Sequence, residues 1–190
     1  MDCPTIYIQI KIIPGQHLNE FGIFDFICCW SVFEHVKISL LETAFQTLSN
    51  ALTEDGVIFL QVSPLFYSRD GSHLAPWIQK PWGHLSMEMD AFRSDLFNAP
   101  PTPEELRQAW SVYIPLDASA TVEREILWDT YVTLNKVTAP HLECAARSAG
   151  LEIVRDYRTF NHDPIPIELL EIFHESVLRT EQVVWMLKNA

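Results

Sequence analysis

Residues 24–62 constrain the fold more than any other part of the chain. Phe24 to Trp30 (FDFICCW) is a nearly continuous apolar run, the pattern of a strand covered on both faces. Ser31-Val32-Phe33-Glu34 then reads as a capping box, Ser31 accepting from first-turn amides and Glu34 reaching back to the cap. The helix it predicts carries Phe33, Val36, Leu40, Ala44 and Leu48 at steps of three or four and stops at Asp55-Gly56. Val57 to Val62 (VIFLQV) is another buried strand, ended by Ser63-Pro64. Strand, helix and strand in this order form a right-handed crossover between parallel strands, which makes this an α/β protein. Ligands of such sheets bind beyond the carboxyl ends of the strands, where Trp30 and Ser31 stand. The same residues also serve as a plain helix cap, with His35 completing the first turn.

The flanking segments extend this pattern. Ile6 to Ile13 (IYIQIKII) is an earlier strand, stopped by Pro14-Gly15. Between 64 and 135 the character changes: seven of the twelve prolines fall at 64–115 and four of the six tryptophans at 77–128. Here Thr102-Pro103-Glu104-Glu105 is a helix start. We read 64–135 as an insertion with short helices, placed where α/β proteins carry lids and substrate contacts, within one domain spanning residues 1–190. Its aromatics Phe66, Phe92, Phe97 and Trp110 form either a small core of their own or an apolar pocket. Regular structure resumes with a helix at Ala139–Ala149 ended by Gly150, and a strand at Leu151–Tyr157. A helix at Pro166–Leu178 with Leu169, Leu170, Phe173 and Val177 inward and a strand at Gln182–Leu187 complete the chain.

Composition narrows the function. Among 190 residues, 13 Lys or Arg face 25 Asp or Glu, a net charge of −12, which argues against a nucleic-acid surface. Glu104, Glu105, Glu123 and Glu125 read as a solvated face. The six glycines form no G-x-G, so no glycine-rich phosphate cradle is present in these residues. The four cysteines make no C-x-x-C, and Cys28 and Cys29 should point to opposite faces of their strand, so no disulfide framework is expected. His141-Leu142-Glu143-Cys144 finds no further ligands at a recognisable spacing, and no metal is expected. The longest uncharged run, Val57 to Ser68, is too short for a bilayer and contains Pro64. With no basic stretch before an apolar core, the expectation is a soluble, cytoplasmic chain with no membrane partner.

The ordered motifs resemble a known family. Phe24-Asp25-Phe26-Ile27 followed by Trp30-Ser31-Val32-Phe33-Glu34-His35-Val36 is similar to the fourth conserved motif of class I S-adenosylmethionine-dependent methyltransferases, F-D-x-[IV] with a V-[LF]-E-H-[VI] turn. Leu52-Thr53-Glu54-Asp55-Gly56-Val57-Ile58-Phe59-Leu60 resembles that family's L-x-P-G-G turn and fifth strand. Pro64-Leu65-Phe66-Tyr67-Ser68, Gly71-Ser72-His73-Leu74 and Pro81-Trp82-Gly83-His84-Leu85 resemble the insertion of one subgroup. Leu134-Asn135-Lys136-Val137-Thr138 and Ala149-Gly150-Leu151-Glu152-Ile153 follow its C-terminal course, so the resemblance covers nearly the whole chain.

The resemblance implies a partial Rossmann-like methyltransferase sheet of about five strands, mostly parallel with the last antiparallel, helices on both faces and a large mainly helical insertion. It implies methyl transfer from S-adenosylmethionine to a small-molecule acceptor. Adenine contacts would fall at Gln16 and His17, where the family usually has Gly-Asp, and the Gln16 carbonyl can accept the adenine amino group. Contacts to the methionine end would come from Trp30, Ser31 and His35. His73 or His84 would be the general base, suited by an ordinary pKa near 6.5, with Tyr67, Ser68 and Trp82 around the acceptor. Each histidine also has a structural reading, His73 in a Gly71-Ser72-His73 turn and His84 packed against Trp82. The family's glycine-rich loop and ribose-binding acid are absent from these residues, so weak or no cofactor binding is expected. The chain would then be a fragment of an enzyme, an enzyme completed by a partner, or a non-catalytic interaction subunit. In the last case an exposed Ile6–Ile13 strand would pair with another chain.

Overall fold

The computed structural model describes residues 22–111 and 113–190. The strand expected at Ile6–Ile13, with Gln16 and His17, lies outside the described residues. Among the described residues, four strands form one sheet in the order β1-β2-β4-β3: β1 (Phe24–Trp30), β2 (Leu52–Val62), β3 (Leu151–Phe160) and β4 (Thr180–Asn189). Only β1 and β2 pair in parallel, and β4 runs antiparallel to both β2 and β3. The described sheet is therefore mixed in the expected sense: β1, β2 and β3 run in one direction, and the last strand, β4, runs opposite to them, inserted between β2 and β3.

Alternation along the strands sets the core. Ile58, Leu60 and Val62 of β2 stand opposite Leu187, Trp185 and Val183 of β4, and all six are fully buried. Against this face lie α1 (Leu41–Asn50), through Phe45 and Leu48, and α6 (Ala139–Ser148), through Leu142 and Ala146. The other face, with Phe26, Trp30 and Phe59, is not covered by a helix among the described residues, in contrast to the helices expected on both faces; Phe26 is 57% and Trp30 64% exposed. As adjacent positions on a strand require, Cys28 is exposed and Cys29 buried.

Local chemistry explains most helix boundaries. Thr138 caps α6, its hydroxyl accepting from the His141 amide, and Gly150 follows the helix at φ +76°, a left-handed conformation suited to glycine. Ser119 caps α5 (Ala120–Thr133) by accepting from Val122. Between β2 and α5 lie α2 (Gly83–Ser86), α3 (Met89–Phe97) and α4 (Glu104–Ala109). Phe66, Phe92, Leu96, Leu127 and Tyr131 form a second core there, with Phe97 and Trp110 packed against it.

Four local expectations are corrected. No helix starts at Ser31: residues 31–35 form a turn, a 3-10 turn follows at Ile38–Leu40, and α1 begins only at Leu41. The single helix expected at Pro166–Leu178 is two short ones, α7 (Ile167–Leu170) and α8 (Glu175–Arg179), because His174 accepts from the Ser176 amide and caps a new start. Of the four side chains expected inward there, only Leu169 is buried; Leu170 is exposed. Glu123 is not solvated. It is buried beside Arg124, which donates to it at 2.8 Å, to Thr102 at 3.0 Å and to the Pro100 carbonyl at 2.7 Å. Thr102 thus ties the 99–103 loop to α5 instead of capping α4.

Candidate functional site

The carboxyl ends of the parallel pair β1 and β2 open onto a cavity of about 370 Å³, between the sheet and the helices that follow. The turn after β1 supplies Ser31, Glu34 and His35, and the chain after β2 supplies Ser63, Pro64, Asp70 and His73. Trp110, Ile114, Ile126 and Leu127 form the apolar wall opposite. A volume in this range suits a small ligand.

The turn bearing Glu34 is held from both sides. Ser31 sits at φ +50°, with its amide donating to the Gln61 backbone carbonyl at 3.0 Å and side-chain Oε1 at 3.1 Å, and its hydroxyl donating to the same Oε1 at 2.9 Å. From the chain after α5, Asn135 Nδ2 donates to the carbonyls of Phe33 and Val36, each at 2.6 Å, and its amide donates to the Glu34 carbonyl at 2.7 Å.

That anchoring leaves Glu34 only 2% exposed, with neither carboxylate oxygen meeting a hydrogen-bond partner. Burial pushes its carboxyl up to about 7, against smaller lowering effects from its own backbone and the Ser31 hydroxyl, neither of which reaches hydrogen-bond geometry. A carboxyl in this state passes between neutral donor and charged acceptor near neutral pH.

His73 stands across from it at φ +62°, its Nε2 donating to the Pro64 carbonyl at 3.0 Å. The proton on Nε2 leaves Nδ1 with a lone pair. Burial pushes its pKa down to about 4, despite the Pro64 contact, so the ring is neutral at pH 7. His35 meets the His73 ring edge-on, with centroids 5.9 Å apart, and desolvation lowers its pKa as well.

The remaining sequence-predicted residues lie elsewhere. His84 Nε2 donates to the Phe66 carbonyl at 2.6 Å, and burial pushes its pKa down to about 4; it does not line the cavity. Trp82, fully buried at φ +53°, packs with Leu169 and Leu178. Ser68 is buried, and Tyr67 leans on Phe66 and Phe173. Trp30 faces outward and stacks on Phe59. Ser31, His35 and His73 therefore converge, while Trp30, Tyr67, Ser68, Trp82 and His84 do not. Among the described residues, the three non-glycine left-handed positions are Ser31, His73 and Trp82, all singled out from sequence. Glu34 and Asp70 are the cavity groups that sequence reading missed as site residues.

For S-adenosylmethionine the described residues make an incomplete cradle. The Ser31 amide is already committed to Gln61, and Trp30 lies outside the cavity lining. No glycine pair in the sequence could wrap a nucleotide.

No family model and no curated protein sequence match the chain. Among solved structures, an S-adenosylmethionine-dependent methyltransferase from Clostridium acetobutylicum aligns with 87% of this chain and 58% of its own, at 10% identity and a TM-score of 0.41. PKMT2 from Rickettsia typhi aligns with 95% of this chain and 37% of its own, at 13% identity and a TM-score of 0.43. Its complex with AdoHcy aligns with 90% of this chain and 37% of its own, at 12% identity and a TM-score of 0.39. This chain thus spans 37–58% of the length of these three structures.

Proposed function

We propose that the chain is the acceptor-binding part of a methyltransferase-type domain, and that the cavity beyond β1 and β2 holds a small-molecule methyl acceptor. The observation that carries this reading is the convergence of two separate motifs. Glu34 and His35, from the E-H turn, and His73, from the G-S-H-L segment, line one cavity of ligand size at the carboxyl ends of parallel strands. In this role the apolar wall of Trp110, Ile114 and Ile126 excludes water and fixes the acceptor's body. His73 takes the acceptor proton at Nδ1 while its Nε2–H stays on the Pro64 carbonyl, which holds the ring's orientation and tautomer. His84 is a structural donor to the Phe66 carbonyl. S-adenosylmethionine would supply the electrophilic methyl group, held in part by residues other than those described.

The test is transfer from methyl-labelled S-adenosylmethionine, at millimolar concentration, to a panel of small amines, phenols and thiols. Transfer to at least one acceptor is expected, lowered about 100-fold by His73→Gln, as for loss of a general base. Cofactor affinity by calorimetry should be no tighter than about 1 mM, roughly 4 kcal/mol. No transfer to any acceptor overturns the reading, and an unaffected His73→Gln overturns the base.

A second reading, an interaction subunit, is favoured by the sheet face carrying Phe26, Trp30 and Phe59, which no helix covers among the described residues. Sedimentation that stays monomeric at every concentration removes self-association through that face.

A further inference from the structure

The sheet face turned away from α1 and α6 carries apolar side chains on all four strands. Two rows of cross-strand partners define it. Trp30 of β1 stands beside Gln61 of β2, Gln61 beside Val184 of β4, and Val184 beside Tyr157 of β3. The next row runs from Cys28 through Phe59 and Met186 to Arg155. At the ends of the first row Trp30 and Tyr157 are each 64% exposed, and Phe26, two residues before Cys28, is 57% exposed. Strands of a parallel pair are normally covered on both faces, and a contiguous exposed apolar face marks an interaction site.

The layout of this face is self-complementary. A two-fold axis parallel to the strands, running between β2 and β4, sets β1 of one copy over β3 of the other and β2 over β4. Trp30 then meets Tyr157, and Phe59 meets Met186, an aromatic pair and a sulfur–aromatic pair. Arg155 comes over Cys28, between Phe26 and Trp30, where its guanidinium lies beside two aromatic rings. That cation has no ion-pair partner among the described residues. The two sheets keep the nearly aligned crossing of packed sheets.

The area matches a weak dimer. A covered aromatic side chain buries about 150–250 Å², so the exposed parts of Phe26, Trp30 and Tyr157 represent roughly 350 Å² per copy. With the half-buried Phe59, Met186 and Val184 between them, two copies would bury roughly 1,200 Å² in all, the lower end of stable interfaces.

We propose that the chain forms a two-fold dimer by packing this sheet face against the same face of a second copy, with Trp30 on Tyr157. The proposal rests on the interaction-face reading above and names its partner.

Sedimentation velocity of the intact chain should show a monomer–dimer equilibrium with a dissociation constant on the order of 10 µM. Trp30→Glu alone and Tyr157→Lys alone should each stay folded, by urea unfolding, and monomeric at about 200 µM. An equimolar mixture of the two should dimerise, because one contact is then unaltered and the other pairs opposite charges. Maleimide labelling of the unaltered chain needs no variant. Read peptide by peptide, Cys28 should label about fourfold more slowly at about 100 µM protein than at about 1 µM, while Cys144, exposed on α6, keeps its rate. A chain still monomeric at about 200 µM, a dimer that survives Trp30→Glu, a mixture that stays monomeric, or Cys28 labelling independent of concentration overturns the proposal. In a monomeric chain, Cys28 labelling as fast as Cys144 leaves the face open to a different partner, so the second copy alone is removed. Cys28 as protected as the buried Cys29 in that monomer means the face is already covered, and the interaction reading falls as well.

Discussion

Gly71 stands where the chain after β2 doubles back on the way to His73. A Cβ there would overlap the backbone carbonyl oxygens of Phe66 and Leu65, which cannot swing aside as a side chain can. Gly71→Ala should therefore destabilise the protein by about 3 kcal/mol, the upper range for overpacking, measured by urea unfolding. A loss below about 1 kcal/mol would show that this turn relaxes. The position was legible as the start of a turn, and so was His73 two residues on. Glu34 was not, because a cap and a cavity acid are written with the same letters. Contacts from Gln61 and Asn135, both remote in sequence, hold the backbone turn that buries its carboxyl. Glu123 escaped for the related reason that its neutralising partner Arg124 sits among other charges that read as solvated surface.

The elements most legible from sequence carry their own punctuation. The Thr138 cap, Pro140 in the first turn and Gly150 after the last define α6 without help from the rest of the chain. The segment 31–40 lacks that independence: tertiary contacts override its capping pattern, and Asn135 holds the turn by three hydrogen bonds to the backbone of residues 33–36. Asn135→Ala removes two of them and leaves the Phe33 and Val36 carbonyls short of a donor. The expected cost is about 2 kcal/mol, with faster amide exchange in the 31–37 turn. Asn135→Asp keeps the shape but not the amide donor, and should lose as much. If it retains wild-type stability and protection, the Nδ2 bonds do not hold the site. The same limit applies at α7 and α8, where apolar spacing predicts one helix and a single His174 cap divides it.

Across the whole molecule, strand existence was readable from apolar runs, whereas strand order was not, because placing β4 between β2 and β3 depends on pairing over more than a hundred residues. The site couples to the stability of this assembly through protons. His73 and His84 are pushed to about 4 from an ordinary 6.5, so between those values the unfolded chain holds protons that the folded one does not. Stability contributed by the pair is full above about pH 6.5 and is lost as pH falls toward 4. Glu34 acts in the opposite sense. Its carboxyl is raised to about 7 from an ordinary 4.5, so the folded chain keeps a proton that the unfolded one gives up, and stability rises as pH falls from about 7 to 4.5. Near pH 5.5 two imidazoles oppose one carboxyl, a net slope of about one proton or roughly 1.4 kcal/mol per pH unit, with His35 adding to the imidazoles' side. Glu34→Gln removes the opposing group, and the loss of stability on acidification should steepen by about one proton. Urea unfolding of both proteins from pH 4.5 to 7 measures the two slopes. Parallel slopes would mean that Glu34 is not held protonated in the folded chain, whereas a steeper slope in the variant counts the proton directly.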